Sequence, residues 1–244
     1  MSRDPRELEW QKHQRVEYRA PGPDLAMWVA RFWVVEWAYD RPYRQLVVPY
    51  PNVHLSCHNG HAHINGVSSG HGTKELDGVG RVFGVAFRPG RFRPFLGRAV
   101  SSITDEDVPM AEVFDGTPTE WEVPAVEDFL RRHVPAPDPR AELAATIVER
   151  ITENPEIMRV DVLAEEFDTN VRQLQRLFAE HVGVGPKWVI RRYRLREVTE
   201  RMAQGVATDW AGLAADLGYA DQAHFTRDFT AMFGEPPTTY AARY

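Results

Sequence analysis

Residues Leu163–Pro186, LAEEFDTNVRQLQRLFAEHVGVGP, and residues Leu213–Pro237, LAADLGYADQAHFTRDFTAMFGEPP, write one pattern twice. Leu163-Ala164 answers Leu213-Ala214. Leu174-x-Arg176-x-Phe178 answers Phe225-x-Arg227-x-Phe229, and Gly183-x-x-Pro186 answers Gly234-x-x-Pro237. The offset is 50 residues at the start of the repeat and 51 after it, so the second copy carries one extra residue near Gly218-Tyr219. Each copy fits a short helix, a tight turn and a longer helix. Two such helix-turn-helix units in tandem can grip two successive stretches of DNA major groove.

The apolar spacing decides which side chains remain free. In the first longer helix, Val171, Leu174, Leu177, Phe178 and Val182 make one stripe, which a helix of this length buries. Arg172, Gln173, Gln175, Arg176 and Ala179 are left outward. The same spacing buries Phe225, Phe229 and Phe233 and turns out Gln222, Ala223, His224, Thr226 and Arg227. Arginine can donate a fork of hydrogen bonds to guanine, and glutamine can both donate to and accept from adenine. Asn170 and Asp221 stand at the two helix starts, where a side-chain oxygen caps free backbone N–H groups.

Around the repeat the chain reads as helical. Leu143, Ile147, Val148 and Ile151 have helical spacing, and a short helix fits Val162–Phe167. Pro186 opens a long helix carrying Trp188, Leu195, Val198 and Met202, with Gly205 at its expected end. The segment Pro135-Ala-Pro137-Asp-Pro139 marks a boundary, because each proline stiffens the chain and disfavours helix before it. Ahead of it, Trp28–Trp37, Gln45–Pro49, Val53–His58, Ala62–Asn65 and Arg81–Phe87 read as strands, with a hairpin turn at Asn59-Gly60. A short helix is expected through Phe92 and Phe95-Leu96, a second starting at Pro109 and a third over Val126–Leu130. The expected fold is α+β. A β-rich domain with helices, residues 1–134, is followed by a linker, residues 135–140. An all-α domain of two helix-turn-helix units joined by a long helix then spans residues 141–244.

Charge qualifies this reading. The 244-residue chain carries a formal net charge of −6. From Arg140 onward there are 13 Lys+Arg against 16 Asp+Glu, so the helical part is itself acidic. A strongly basic domain is the usual footprint of nucleic-acid binding. Here positive charge is local: Arg172 and Arg176 share one helix, and Arg191, Arg192, Arg194 and Arg196 crowd another. Phosphate neutralisation supplies most non-specific affinity, so weak binding to random DNA is expected. There is no long apolar run, and the start Met1-Ser2-Arg3-Asp4-Pro5 lacks the apolar core of a signal peptide. Cys57 is the only cysteine, which excludes an intrachain disulfide and a cysteine zinc cage. The expected compartment is the cytoplasm, with no membrane partner.

Residues from about Leu143 to Tyr244 resemble the DNA-binding domain of AraC/XylS-type transcription regulators. The segments LAEEFDTNVRQLQRLFAEHVGVGPKWVIRRYRLREV and LAADLGYADQAHFTRDFTAMFGEPPTTYAARY carry the likeness. It implies recognition helices in adjacent major-groove segments on one face of DNA. By position, the family's base-contacting residues fall on Arg172, Gln175 and Arg176, and on Gln222, Ala223, His224 and Arg227. Ala223 departs from the polar residue sometimes found there and is left out of the site. Such regulators commonly place an effector-binding or dimerisation domain first, often a cupin-like barrel. The stretch RVFGVAFRPGRFRPFLG followed by SITDEDVPMAEVF resembles uncharacterised N-terminal domains of this family. The resemblance therefore implies double-stranded DNA as partner, with a small-molecule effector, a homodimer and, for an activator, RNA polymerase as further ones.

The N-terminal chemistry offers rivals. His54, Cys57, His58, His61, His63 and His71 fall close together, and such ligands can hold zinc, copper or nickel. Alternation puts His54 and His58 on one strand face and Cys57 on the other, and His61-x-His63 has no glutamate close behind it. The expectation is strand and turn histidines with no metal and no cofactor. A methyl-accepting cysteine as in DNA-alkylation repair needs companion cysteines that this chain lacks. Trp28, Phe32, Trp33, Trp37, Tyr43 and Tyr50 fit either an effector pocket or the core. Arg88 is expected to pair with a nearby acid. The alternative function is a DNA-targeted enzyme or metal-dependent sensor built on the His/Cys region. The leading one is a regulator with no catalytic residues.

Overall fold

The computed structural model describes residues 13–154, 156–203 and 209–242, without the side chains of Arg201 and Ala203. Its N-terminal part is one antiparallel sheet of six strands: β1 (Gln14–Arg19), β2 (Val29–Val47), β3 (His54–His58), β4 (His61–Asn65), β5 (Gly72–Phe87) and β6 (Asp107–Pro109). Their order across the sheet is β1-β2-β5-β3-β4-β6, which leaves β1 and β6 at the edges. Asn59 and Gly60, at φ 50° and 79°, form the predicted two-residue turn between β3 and β4. The strand expected at Gln45–Pro49 is the far end of β2 as far as Val47. Beyond Tyr39 and Gly78, β2 and β5 pair only with each other, after a shift of register between Tyr39 and Tyr43. This two-stranded ribbon keeps contact with both edges of the sheet: Gln45 accepts from Gln14 of β1 at 3.1 Å, and Lys74 stands 3.6 Å from Asp107 of β6.

The helices follow in chain order: α1 (Arg93–Leu96), α2 (Val123–Arg131), α3 (Pro139–Glu153), α4 (Val160–Glu166), α5 (Val171–His181), α6 (Pro186–Ala203), α7 (Trp210–Asp216), α8 (Gln222–Phe233) and α9 (Pro237–Ala241). Pro109 closes β6 instead of opening an α-helix, and only a single 3₁₀ turn, Met110–Glu112, follows it. Gly205 lies outside the described residues. In α3 the buried face is Ala141, Ala144, Ala145, Ile147, Val148 and Ile151, while Leu143 is 44% exposed. Small alanines let this helix lie close against its neighbours, which apolar spacing alone did not indicate.

The main core does not stop at the proline-spaced segment. It runs from Phe32, Leu55, Phe83 and Phe87 of the sheet, through Phe92, Ile103 and Phe129, to Ile147, Leu163, Leu174 and Phe178 of the first helix-turn-helix unit. Two glycines allow that close fit. Gly90, at φ 83°, lies so near α3 that a Cβ would stand 2.6 Å from the Ala145 nitrogen. Gly183, at φ 95°, packs on Val100, and its carbonyl accepts the Thr104 hydroxyl at 2.7 Å. Arg88 donates to the Ala26 carbonyl at 2.6 Å and reaches Glu149 of α3 at 4.0 Å. A second, smaller core holds the second unit: Leu195, Val198, Leu213, Leu217, Phe225, Phe229, Phe233 and Tyr240.

Candidate nucleic-acid interface

The two helix-turn-helix units, α4–α5 and α7–α8, are built alike down to their turns. In the first, the Thr169 N–H donates to the Ala164 carbonyl at 2.8 Å. In the second, the Tyr219 N–H donates to the Ala214 carbonyl at 2.9 Å. These equivalent bonds keep the offset of 50, whereas the caps Asn170 and Asp221 already differ by 51, so the extra residue is Ala220. Both caps are made. Asn170 Oδ1 accepts the Gln173 N–H at 2.9 Å, and Asp221 Oδ1 accepts the His224 N–H at 2.6 Å. The helix starts that carry the candidate residues are thereby fixed.

Arg172, Gln175 and Arg176 are exposed on α5, and Gln222 and Arg227 are exposed on α8. Beneath them Leu174, Leu177, Phe178, Phe225 and Phe229 are buried as the spacing predicted, although Val171 stays 36% exposed. Among the described residues, Arg172, Arg176 and Arg227 have no carboxylate within ion-pair distance. Gln173 is turned to its own turn, accepting the Thr169 hydroxyl at 2.9 Å. His224 is half-buried. Its ring meets Tyr219 edge-on at 5.2 Å, and Nε2 stands 3.7 Å from Asp228, which also binds Arg191 at 2.9 Å. The histidine is thus oriented from behind by a carboxylate, with one side held in the turn.

The other arginine cluster has a different use. Arg191 pairs with Asp228, and Arg196 with Glu200 at 2.8 Å. Arg194 donates to the Met158 carbonyl at 3.0 Å. Arg192 is 2% exposed; it donates to the Pro49 carbonyl, and its guanidinium lies 3.9 Å from the Tyr50 ring centroid and 5.5 Å from that of Phe233. The positive charge on α6 is therefore taken up within the protein: Arg192 ties the linking helix to the sheet domain, and Arg191 ties it to the second unit. Trp188 of α6 adds a bond of 2.6 Å to the Ser69 carbonyl, and His71 approaches the Ala231 carbonyl at 3.0 Å. Nothing in an RRYR run signals burial, so sequence reasoning placed these residues with the DNA-facing charge.

The histidine-rich hairpin is dispersed. The half-buried His54 accepts the Trp33 indole N–H at 3.1 Å, and burial, aided by the charge of Arg31, pushes its pKa down to about 4. Cys57 faces the core, and burial pushes its thiol up, away from the reactive thiolate. No three His, Cys, Asp or Glu side chains gather as a metal site among the described residues. Trp28, Phe32 and Trp37 are buried, and Tyr43 stacks on Tyr39 at 4.9 Å. No helix among the described residues is long and apolar enough to cross a membrane.

Two family models match separate parts of the chain. Residues 163–243 match the family model of a helix-turn-helix domain, and residues 17–109 match a domain of unknown function, DUF6597. The match to a helix-turn-helix domain thus covers nearly all of both helix-turn-helix units, and the match to the domain of unknown function nearly all of the sheet. No curated protein matches the sequence. Among solved structures, ToxT from Vibrio cholerae is similar at 11% identity and a TM-score of 0.41, covering 94% of this chain and 97% of that one. An apo ToxT variant gives 13% and 0.43, covering 92% and 99%. ToxT bound to (E)-4-(8-methylnaphthalen-1-yl)but-3-enoic acid gives 13% and 0.40, covering 94% and 98%.

Proposed function

We propose that this protein is a sequence-specific, DNA-binding transcription regulator under small-molecule control. Residues 1–134 form its sensing or dimerisation domain, residues 135–140 the linker, and residues 141–244 the DNA-binding domain. Arg172, Gln175 and Arg176 read one segment of major groove, and Gln222, His224 and Arg227 read the next. Double-stranded DNA, a small effector, a second copy of the chain and, for activation, RNA polymerase are its partners in this reading. It works in the cytoplasm and performs no catalysis; the inward-facing Cys57, with its thiol pushed up by burial, supports that view over a methyl-accepting enzyme.

One observation carries the proposal. Arg172, Arg176 and Arg227 stand exposed on the two capped helices with no carboxylate partner among the described residues, whereas the neighbouring Arg191 and Arg196 are held by Asp228 and Glu200. A guanidinium without a carboxylate partner is available to the guanine edge, and a bidentate contact contributes about 1–3 kcal/mol of discrimination. The test begins with selection of bound sequences from a random DNA pool. The double variant Arg176→Ala/Arg227→Ala is then expected to lose a few kcal/mol of affinity for the selected site while keeping its fold. Unchanged affinity in the folded double variant removes both arginines from the role.

A further inference from the structure

A cleft of about 680 Å³ opens where the sheet domain, the proline-spaced linker and the first recognition helix meet. Arg93 and Pro94 of α1 form one wall, Pro135–Pro139 and Arg140 another, and Arg176, Glu180 and His181 of α5 the third. Its charge is unevenly satisfied. Arg93 is paired with Glu180 at 3.0 Å, and Asp138 is occupied in capping α3 through the Arg140 N–H at 2.9 Å. The guanidinium groups of Arg140 and Arg176 have no carboxylate within ion-pair distance among the described residues. His181, only 2% exposed, lines the same cleft. Its Nδ1 is buried without a hydrogen-bond partner, with the nearest Asp138 oxygen at 4.0 Å. Burial lowers the pKa of this imidazole, which leaves it neutral and able to donate or accept one hydrogen bond.

We propose that this cleft binds a small organic oxyanion, a carboxylate or phosphate ester, held by Arg140 and Arg176, and that such binding competes with DNA for Arg176. The ligand class follows from the donors, since a guanidinium fork matches planar carboxylate and phosphate oxygens. A discrete anion fits better than a DNA backbone, because Asp138 and Glu180 line the same concavity and would repel a continuous run of phosphates. The competition rests on the assignment of Arg176 to DNA made above. It gives the effector a direct route to the recognition helix: a ligand bridging the linker and α5 withdraws one base-reading side chain and braces α5 against α1.

The test uses the full chain, with citrate as the carboxylate probe and inorganic pyrophosphate as the phosphate probe, each followed by titration calorimetry at fixed ionic strength. Saturable binding of at least one probe is expected, weakened tenfold or more in Arg140→Gln and partly restored in Arg140→Lys. Arg140 is exposed at the start of α3, so both variants should fold, which thermal melting checks. The probe that binds should lower wild-type affinity for the selected DNA several-fold and leave that of Arg140→Gln unchanged. The site is overturned by no saturable binding of either probe, or by equal binding in Arg140→Gln. An Arg140→Gln variant that binds DNA more weakly without any probe, with a shallower salt dependence, also overturns it by making Arg140 a contact to DNA phosphate. Binding that leaves wild-type DNA affinity untouched overturns the competition. If Arg176→Ala leaves DNA binding unchanged but weakens probe binding, the reading of Arg176 as a DNA contact and the competition fail and the site stands; probe binding undiminished in Arg176→Ala overturns the site as proposed.

Discussion

Arg192 is where the sheet domain, the linking helix and the second helix-turn-helix unit come together. Its guanidinium is buried between the Tyr50 and Phe233 rings and bonds the Pro49 carbonyl, 143 residues earlier in the chain. Burial pushes its pKa down, but a guanidinium starts so high that it stays charged. Burying a charge costs several kcal/mol, which ring faces and a carbonyl only partly offset. One terminal nitrogen, Nη1, has no partner at all. The balance gives an uncommon expectation. Arg192→Ala should destabilise the chain by about 2–4 kcal/mol, because it opens a cavity between two rings. Arg192→Met fills the same space without a charge to desolvate and should recover most of that loss. Thermal or urea unfolding of the two variants decides the matter: equal losses in Ala and Met would mean that the charge itself, not the packing, makes the contact.

At the scale of elements, the two recognition helices owe their positions to their caps. Asn170 and Asp221 each satisfy a backbone N–H three residues on, at 2.9 Å and 2.6 Å. Removing such a cap costs about 1 kcal/mol when the replacement is alanine and a few tenths when it is glycine. Asn170→Ala and Asp221→Ala are therefore expected to lower urea stability by about 1 kcal/mol each, with the glycine variants close to wild type. A glycine variant as unstable as the alanine one would assign the loss to something other than the cap. These elements were legible because their signals are short-ranged: a cap, an apolar stripe and a glycine fall within one turn or two of each other. Where the partner is remote, the sequence was silent. The ribbon formed by the outer ends of β2 and β5 has no clean alternation over Ala38–Val47, and β1 lies in an unremarkable polar stretch. Arg192 read as surface charge for the same reason, since Tyr50 and Phe233 lie far from it in the chain. The extra residue of the second repeat was legible only to within the turn; the hydrogen bonds assign it to Ala220.

For the whole molecule, the question is which parts stand on their own. The proline-spaced segment looks like a joint, yet the main core crosses it. Val100 and Ile103 share one cluster with Ile147, Leu174, Phe178 and Val182, while the second helix-turn-helix unit has a core of its own. The two units are thus unequal in what they need. The first leans on the sheet domain through Gly90, Gly183, the Arg93–Glu180 pair and Thr104. The second touches it at fewer places, through Arg192, Trp188 and the end of the ribbon, where Leu46 and His71 meet Gly234. Cutting the chain at the linker uncovers apolar surface on α3 and the end of α5, and each buried Val, Leu or Ile side chain so exposed forfeits about 1.5–3 kcal/mol. A fragment of residues 139–244 should therefore keep the amide protection of α8 near its value in the full chain and lose protection in α3 and α5. Hydrogen exchange on the two proteins measures this directly. Uniform protection across both units of the fragment would show that the first unit is self-sufficient and that the shared core adds nothing to it. The expected asymmetry couples the sheet domain most directly to the first unit: a change in its packing would act first on α5, the helix that carries the candidate residues Arg172, Gln175 and Arg176.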